Sequence, residues 1–238
     1  MNKIEFENGL NEMGIKYQNS FYEDFDIYRK LLVEWNENIN LTAITEKNEV
    51  FIKHFLDSIG TFLSNKVPEG GSVIDVGTGA GFPGLAMKVF DRSINLTLLD
   101  SLNKRINFLK EVSDQIGLES VNCVHGRAED FGKDENFREQ FDVAVSRAVA
   151  NLAVLCEYCM PYVKVGGYFI ALKSMSYKDE LDQAQKAIET LGGQVKEVII
   201  VPLPGIDIEH TLIVIEKVAE TPIKYPRKAG KPVKNPIL

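Results

Sequence analysis

Three cysteines in 238 residues, Cys123, Cys156 and Cys159, are few, odd in number and set among apolar neighbours, which speaks against a disulfide framework. No run of about 18 apolar residues occurs, and this excludes a helical membrane span. The Met1 to Glu7 stretch is acidic and mixed, without the apolar centre of a signal peptide, so a cytoplasmic chain without membrane contact is expected. The Cys156-x-x-Cys159 spacing also serves zinc and thiol redox chemistry, but no second pair or nearby histidine accompanies it. Buried small side chains and no metal are expected. Excess positive charge is missing too: 27 Lys and Arg against 34 Asp and Glu leave a net charge of −7, unsuited to a protein that coats nucleic acid indiscriminately. Repeats and low-complexity segments are absent.

What basic charge there is collects at one end. Residues 217 to 238 carry six cations against Glu220, a formal +5, which leaves −12 on the rest of the chain. Within this stretch Tyr225-Pro226-Arg227-Lys228-Ala229-Gly230-Lys231-Pro232 alternates cations with rigid or aromatic residues. Such a segment can track a phosphate backbone or remain a solvated tail.

At 45% hydrophobic, the chain can bury one full α/β core with roughly sixty residues to spare. Residues 1–66 read as a helical subdomain, with apolar positions at three- and four-residue spacing through Leu10, Phe25, Tyr28, Leu32, Trp35, Phe51, Phe55 and Ile59. Asn36 to Asn40, followed by Leu41 to Thr45, reads as a polar break between its second and third helices, with Thr45 as an N-cap. Residues 67–217 alternate apolar strands with helical stretches: Ser72–Val76, Asn95–Asp100, Val121–His125, Phe141–Ser146, Gly167–Lys173, Val195–Val201 and Thr211–Lys217. Seven strands of this kind predict a doubly wound, mostly parallel sheet ending in an antiparallel hairpin, with 218–238 as a basic tail.

The richest stretch joins the first strand to a glycine-dense turn, Asp75-Val76-Gly77-Thr78-Gly79-Ala80-Gly81-Phe82-Pro83-Gly84. Gly77, Gly79 and Gly81 let the backbone take positive φ and approach a ligand closely. About 20 residues on, Asp100 is placed to meet a ribose hydroxyl pair. Gly79-x-Gly81-x-x-Gly84 also fits a dinucleotide site. Two residues favour S-adenosylmethionine instead: Pro83 removes an N–H that would cradle a pyrophosphate, and Asp75 puts an acid near the cationic end of the methyl donor. Ligands of open α/β sheets bind at the carboxyl ends of the strands, which adds Ser101, Ala128 and Glu129 beside the nucleoside, and Arg147. Arg147 suits a carboxylate of the donor, a phosphate of the acceptor, or an ion pair that fixes its loop. His54 and Asp57, three apart on a helix, reach the acceptor, or serve as a structural cap or an interdomain hydrogen bond.

Trp35-Asn36-x-x-x-Asn40-Leu41-Thr42, His54-Phe55-x-Asp57-Ser58, the Asp75 to Gly84 turn, Asp100-Ser101-x-x-Lys104-Arg105, Gly126-Arg127-Ala128-Glu129, Ser146-Arg147-Ala148 and Tyr225-Pro226-Arg227-Lys228 together resemble the RsmG (GidB) family. The likeness spans essentially the whole chain. It implies a Rossmann-like class I methyltransferase with an N-terminal helical extension and S-adenosylmethionine as cofactor. The implied reaction is methylation of N7 of a guanine, position 527 in 16S ribosomal RNA, on the small ribosomal subunit or its RNA. Donor binding carries over to Gly77, Phe82, Ala128, Glu129 and Arg147. A lone pair on N7 needs no general base and no catalytic dyad stands out, so a positioning mechanism is expected, with Arg147 the one candidate. Lys104, Arg105, Lys173, Arg227, Lys228 and Lys231 are assigned to RNA phosphates, and a monomer is expected. The rival readings are a small-molecule methyltransferase, an NAD-dependent oxidoreductase and a non-catalytic RNA-binding module.

Overall fold

The computed structural model describes residues 1–17, 21–147, 150–174, 177–206 and 210–238; Ala148 of the Ser146-Arg147-Ala148 run lies outside them. The strands are β1 (Ser72–Val76), β2 (Asn95–Asp100), β3 (Val121–His125), β4 (Phe141–Arg147), β5 (Val163–Ser174), β6 (Gly193–Val201) and β7 (His210–Lys217). They form one sheet in the order β3-β2-β1-β4-β5-β7-β6. β1 to β5 pair in parallel, and β7 runs antiparallel to both β5 and β6. The closing hairpin therefore inserts its second strand, and β6 forms the edge. β5 starts at Val163 rather than Gly167, because Val163 pairs with Phe141 ahead of a register shift in β4.

Strand order reverses between β1 and β4, and the loops leaving their carboxyl ends part there to open a crevice. Period-two alternation along β1 sends Val73 to one apolar cluster and Ile74 and Val76 to the other, so both faces of the sheet are covered. α5 (Gly84–Phe90) and α6 (Asn103–Ile116) cover the first face, and α8 (Leu152–Cys159) and α9 (Tyr177–Thr190) the second. Cys156 and Cys159 are buried as free thiols, and burial pushes both well above the usual thiol range.

The N-terminal helices lie on the first face. They comprise α1 (Lys3–Glu12), α2 (Tyr22–Ile39), and a rod that runs from α3 (Lys47–Val50) through a π-helical stretch, Phe51–Leu56, into α4 (Asp57–Ile59). Phe6, Phe25, Tyr28, Phe51 and Phe55 share one core with Val73, Leu85 and Leu109, so residues 1–66 complete the core of the sheet. The polar break falls later than the composition indicates: α2 passes through Asn36 and stops at Asn40, which takes φ 47. Asn36 Oδ1 accepts the Leu41 and Thr42 N–H groups at 2.6 and 2.9 Å and so turns the chain. Glu46, not Thr45, caps α3, its carboxylate accepting the Glu49 N–H. Among the described residues no helix is long and apolar enough to cross a membrane.

Candidate functional site

The glycine turn leaves β1 with Gly77, Gly79 and Gly81 all at positive φ. Most of its N–H groups are already spoken for. Gly77 and Thr78 donate to the Leu99 carbonyl, Gly79 to Asp100 Oδ2, Gly81 and Phe82 to the Thr78 carbonyl, and Gly84 to Asp75 Oδ2. Pro83 has no N–H to give. With Pro83 lacking an N–H and most of the others engaged internally, the turn has few donors left for a pyrophosphate, whereas a phosphate-free nucleoside needs only the close backbone.

Asp75 does not face the crevice. It is fully buried under the turn, where Oδ2 accepts from Thr78 Oγ1 at 2.7 Å and Gly84 N at 2.8 Å, and a Cβ on Gly84 would stand 2.6 Å from Asp75 Cβ. The third glycine of the fingerprint thus makes room for a carboxylate that fastens the turn. Burial pushes the Asp75 carboxyl up to about 7 against the pull of its hydrogen bonds, and Oδ1 has no partner. Asp100, at the end of β2, accepts Leu102 N at 2.9 Å on Oδ1, which keeps a lone pair for a hydroxyl; its Oδ2 serves Gly79 and Arg105.

Three adjoining cavities follow the carboxyl ends of the strands. One of 260 Å³ lies between Gly77, Asp100, Ser101, Ala128 and Glu129. A second, of 400 Å³, shares Gly77, Asp100 and Ser101 with the first and runs past Gly79 and Phe82 to His54 and Arg147. A third, of 480 Å³, begins at His54 and Arg147 and continues between Ile44, Leu172, Ile206 and His210. A larger cavity of 770 Å³, around Phe21, Phe62 and Phe90, includes none of the expected site residues.

Arg147 stands where the second and third cavities meet. Its guanidinium donates to Asp57 Oδ2 at 2.8 Å, to the Lys53 carbonyl at 3.1 Å and to His54 Nδ1 at 3.2 Å, and lies 4.9 Å above the Phe82 ring. His54 Nδ1 faces this guanidinium and, at 3.1 Å, the Lys53 carbonyl, while Nε2 lies 2.9 Å from Thr42 Oγ1. His54 stacks on Phe82 at 4.5 Å. Burial, then the charge of Arg147, lowers its pKa to about 3, so the imidazole is neutral. Asp57 is fully buried; burial raises its carboxyl, but the bonds and charges of His210 and Arg147 outweigh this and hold it below the usual range. His210 Nδ1 meets its other oxygen at 2.6 Å. Of the readings open for His54 and Asp57, the interdomain hydrogen bond is the one present. His54 leaves the rod from the π-helical stretch and Asp57 from the first position of α4 directly after it, and unusual helical geometry of this kind is often found at functional positions.

His54 makes stability depend on pH. Its folded pKa lies below the ordinary 6.5, so the unfolded chain takes up the proton first and stability present at pH 7 is lost as pH falls from about 6.5 toward 3. By pH 5 this amounts to about 2 kcal/mol. Over the same range the Asp75 carboxyl, pushed up to about 7, takes up its proton in the folded state first and acts in the opposite sense, so the His54 contribution is read as a difference. Urea titrations are expected to show the wild type losing about 2 kcal/mol relative to His54→Gln between pH 7 and pH 5, and equal slopes in the two proteins would contradict the assignment.

The remaining expected residues divide. Glu129, nearly buried, accepts the Gly230 N–H at 3.1 Å, a supporting contact, and the Ala128 carbonyl accepts from Tyr162 Oη at 2.7 Å. Lys104, Lys228 and Lys231 are exposed, and Arg105 is partly so, 3.3 Å from Asp100. Two phosphate assignments meet internal partners instead. Lys173 is almost buried between the Ala150 carbonyl and Glu180, and Arg227 forms a multiply bonded pair with Glu157, itself 1% exposed. Both cations are thereby paired within the protein. Tyr28 and His210 escape sequence reasoning: Tyr28 reads as one more apolar helix position, yet its hydroxyl donates to the Ala80 carbonyl of the turn. An arginine among apolar flanks signals a counter-charge but not which strand or helix supplies it.

The family model for rRNA small subunit methyltransferase G matches residues 21–204. A curated protein named ribosomal RNA small subunit methyltransferase G from Alkaliphilus metalliredigens is 54% identical over 99% of this chain and 98% of its own. The protein of that name from Clostridium tetani is 50% identical over 95% of each chain. Among solved structures, a SAM-dependent methyltransferase from Aquifex aeolicus aligns with a TM-score of 0.53 at 16% identity, over 71% of this chain and 93% of that one. M. jannaschii TYW2 in complex with AdoMet aligns at 0.51 and 12% identity, over 67% and 74%. These distant likenesses bear out the fold, and the family model together with the relatives matched over nearly their whole length establishes that the chain belongs to the rRNA small subunit methyltransferase G (GidB) family.

Proposed function

We propose that the chain transfers the methyl group of S-adenosylmethionine to N7 of a guanine in 16S ribosomal RNA, on the small ribosomal subunit or its RNA. The observation that carries this reading is the run of adjoining cavities, from a nucleoside-sized space at Asp100 and Glu129, past a glycine turn with few donors to spare for phosphate, to a largely apolar space beyond Arg147. When bound, S-adenosylmethionine supplies an electrophilic methyl group on a cationic sulfur. Asp100 offers its free lone pair to the ribose, and the backbone of Gly77 to Phe82 lines the path of the donor toward Arg147.

Guanine N7 carries no proton, so the residues around it need only position it and tolerate the positive charge that passes to the purine. His54 meets that requirement as a neutral imidazole, and Asp57 offsets the charge of Arg147. Leu172, Ile44 and Ile206 give the third cavity apolar walls for a flat base. Lys104, Arg105, Lys228 and Lys231 remain available for RNA phosphates.

Calorimetry separates this reading from a dinucleotide enzyme. Saturable binding of S-adenosylmethionine, with none of NADH, is expected; the reverse would overturn the donor assignment, and no binding of either would remove the enzyme reading.

A further inference from the structure

The basic C-terminal segment reads in sequence as a tail for RNA, but in the fold it is built into the protein. Arg138 donates to the Thr221 carbonyl at 2.5 Å and to the Tyr225 carbonyl at 2.8 Å. Thr221, buried, takes a hydrogen bond from the buried Lys217 ammonium and gives one to the Leu191 carbonyl. Arg227 is then held by Glu157 through both its backbone N–H, at 2.7 Å, and its guanidinium. A charged group buried as deeply as Glu157 stays in place only when paired, so the segment is anchored at this point. Three residues further on, Gly230 donates to Glu129 Oε1 at 3.1 Å and opens the short helix α10 (Lys231–Lys234).

This anchoring brings Gly230 and Val233 to the 260 Å³ cavity, across from Asp100, Ala128 and Tyr158. Val233 lines that cavity yet is 59% exposed, an apolar side chain on a fixed element with its face turned to open space. A purine has a matching chemistry, an apolar face with polar edges. Resting on the donor reading above, we propose that Gly230 to Lys234 form the outer wall of the nucleoside half of the cleft: Val233 packs on the adenosine moiety of the donor, and Gly230 holds Glu129 in position beside it. The tail is thereby a donor-binding element, and the cations Lys228 and Lys231 lie on the outside of the same wall.

Val233 is exposed enough to be changed without disturbing the core, which makes it the position to test. Val233→Trp, which fills the space, and Val233→Glu, which sets a charge against the purine, are each expected to raise the Kd for S-adenosylmethionine at least tenfold in calorimetry. The Kd for 5′-methylthioadenosine, which has the nucleoside half but no amino acid, is expected to rise by the same factor. The melting temperature without ligand is expected to stay at the wild-type value. Wild-type affinity for both ligands in both variants would overturn the proposal alone. Absence of binding by the unaltered chain would remove the donor reading and this proposal with it. A loss confined to S-adenosylmethionine would place Val233 away from the nucleoside and would also overturn it.

Discussion

Arg147→Ala is expected to cost about 3–5 kcal/mol of folding stability in urea titration, and to lower methyl transfer at least a hundredfold. The stability loss follows from what is left behind. Asp57 is fully buried and accepts from Arg147 at 2.8 Å; without the guanidinium its charge keeps only His210 as partner, in a medium where an uncompensated carboxylate is costly. The activity loss follows from position, since Arg147 with the Phe82 ring and the neutral His54 forms the junction between the donor and acceptor cavities. Arg147→Lys keeps the charge but not the planar fork that reaches Asp57, Lys53 and His54 together, and is expected to recover only part of either loss. Asp57→Asn in the Arg147→Ala background is expected to restore stability by removing the stranded charge, which a double-mutant cycle reads as coupling of about 2 kcal/mol or more. A loss below about 1 kcal/mol for Arg147→Ala would mean that the pair is a surface contact in solution.

The second large effect separates two glycines that look alike in sequence. At Gly81, φ is +93, and an added Cβ would lie 2.2 Å from Tyr28 Oη and 2.9 Å from Leu109 Cδ2 and Leu85 Cβ. Gly81→Ala is expected to destabilise the protein by about 3 kcal/mol or more, by pushing Tyr28 off the Ala80 carbonyl and separating α2 from the turn. At Gly79, φ is +61 and nothing lies within 4 Å of the added Cβ, so Gly79→Ala is expected to cost only about 1 kcal/mol. Its Cβ would project toward the 400 Å³ cavity proposed for the donor, so the loss there is expected to fall on donor affinity. Thermal unfolding with and without S-adenosylmethionine distinguishes the two variants. Equal destabilisation by both would contradict the packing described for the turn.

Much of this was legible in the chain because local chemistry forces it. Strands such as Val73 to Val76 and Leu96 to Leu99 are mainly apolar on both faces, interrupted by Asp75 and Thr97, since both sheet faces are covered, and the glycines that end the first are forced by positive φ. The cleft at the carboxyl ends of β1 and β4 followed from the strand alternation alone. What could not be read depends on partners far apart in sequence. Asp75 looks like a ligand for a cation until Gly84 is seen packed on it. Lys173 and Arg227 look like free cations until Glu180 and Glu157 are placed against them, and nothing in their neighbours announces those carboxylates. The tail misleads for the same reason: its composition is that of a solvated strap, while Arg138 and Glu157, about seventy or more residues away in the chain, hold it against the donor cavity. Helix boundaries moved where a side chain could satisfy backbone donors, as Asn36 and Glu46 do.

The most direct test of the account is methyl transfer from labelled S-adenosylmethionine to separated 16S RNA, to assembly intermediates and to 30S particles from cells lacking this activity, with the modified base mapped at nucleotide resolution. One guanine of the small-subunit RNA, methylated at N7 in at least one of these acceptors and unmethylated when Arg147→Ala replaces the wild-type protein, is the expected result. Methyl groups on another base, on another ring atom or on none of the three acceptors would contradict it.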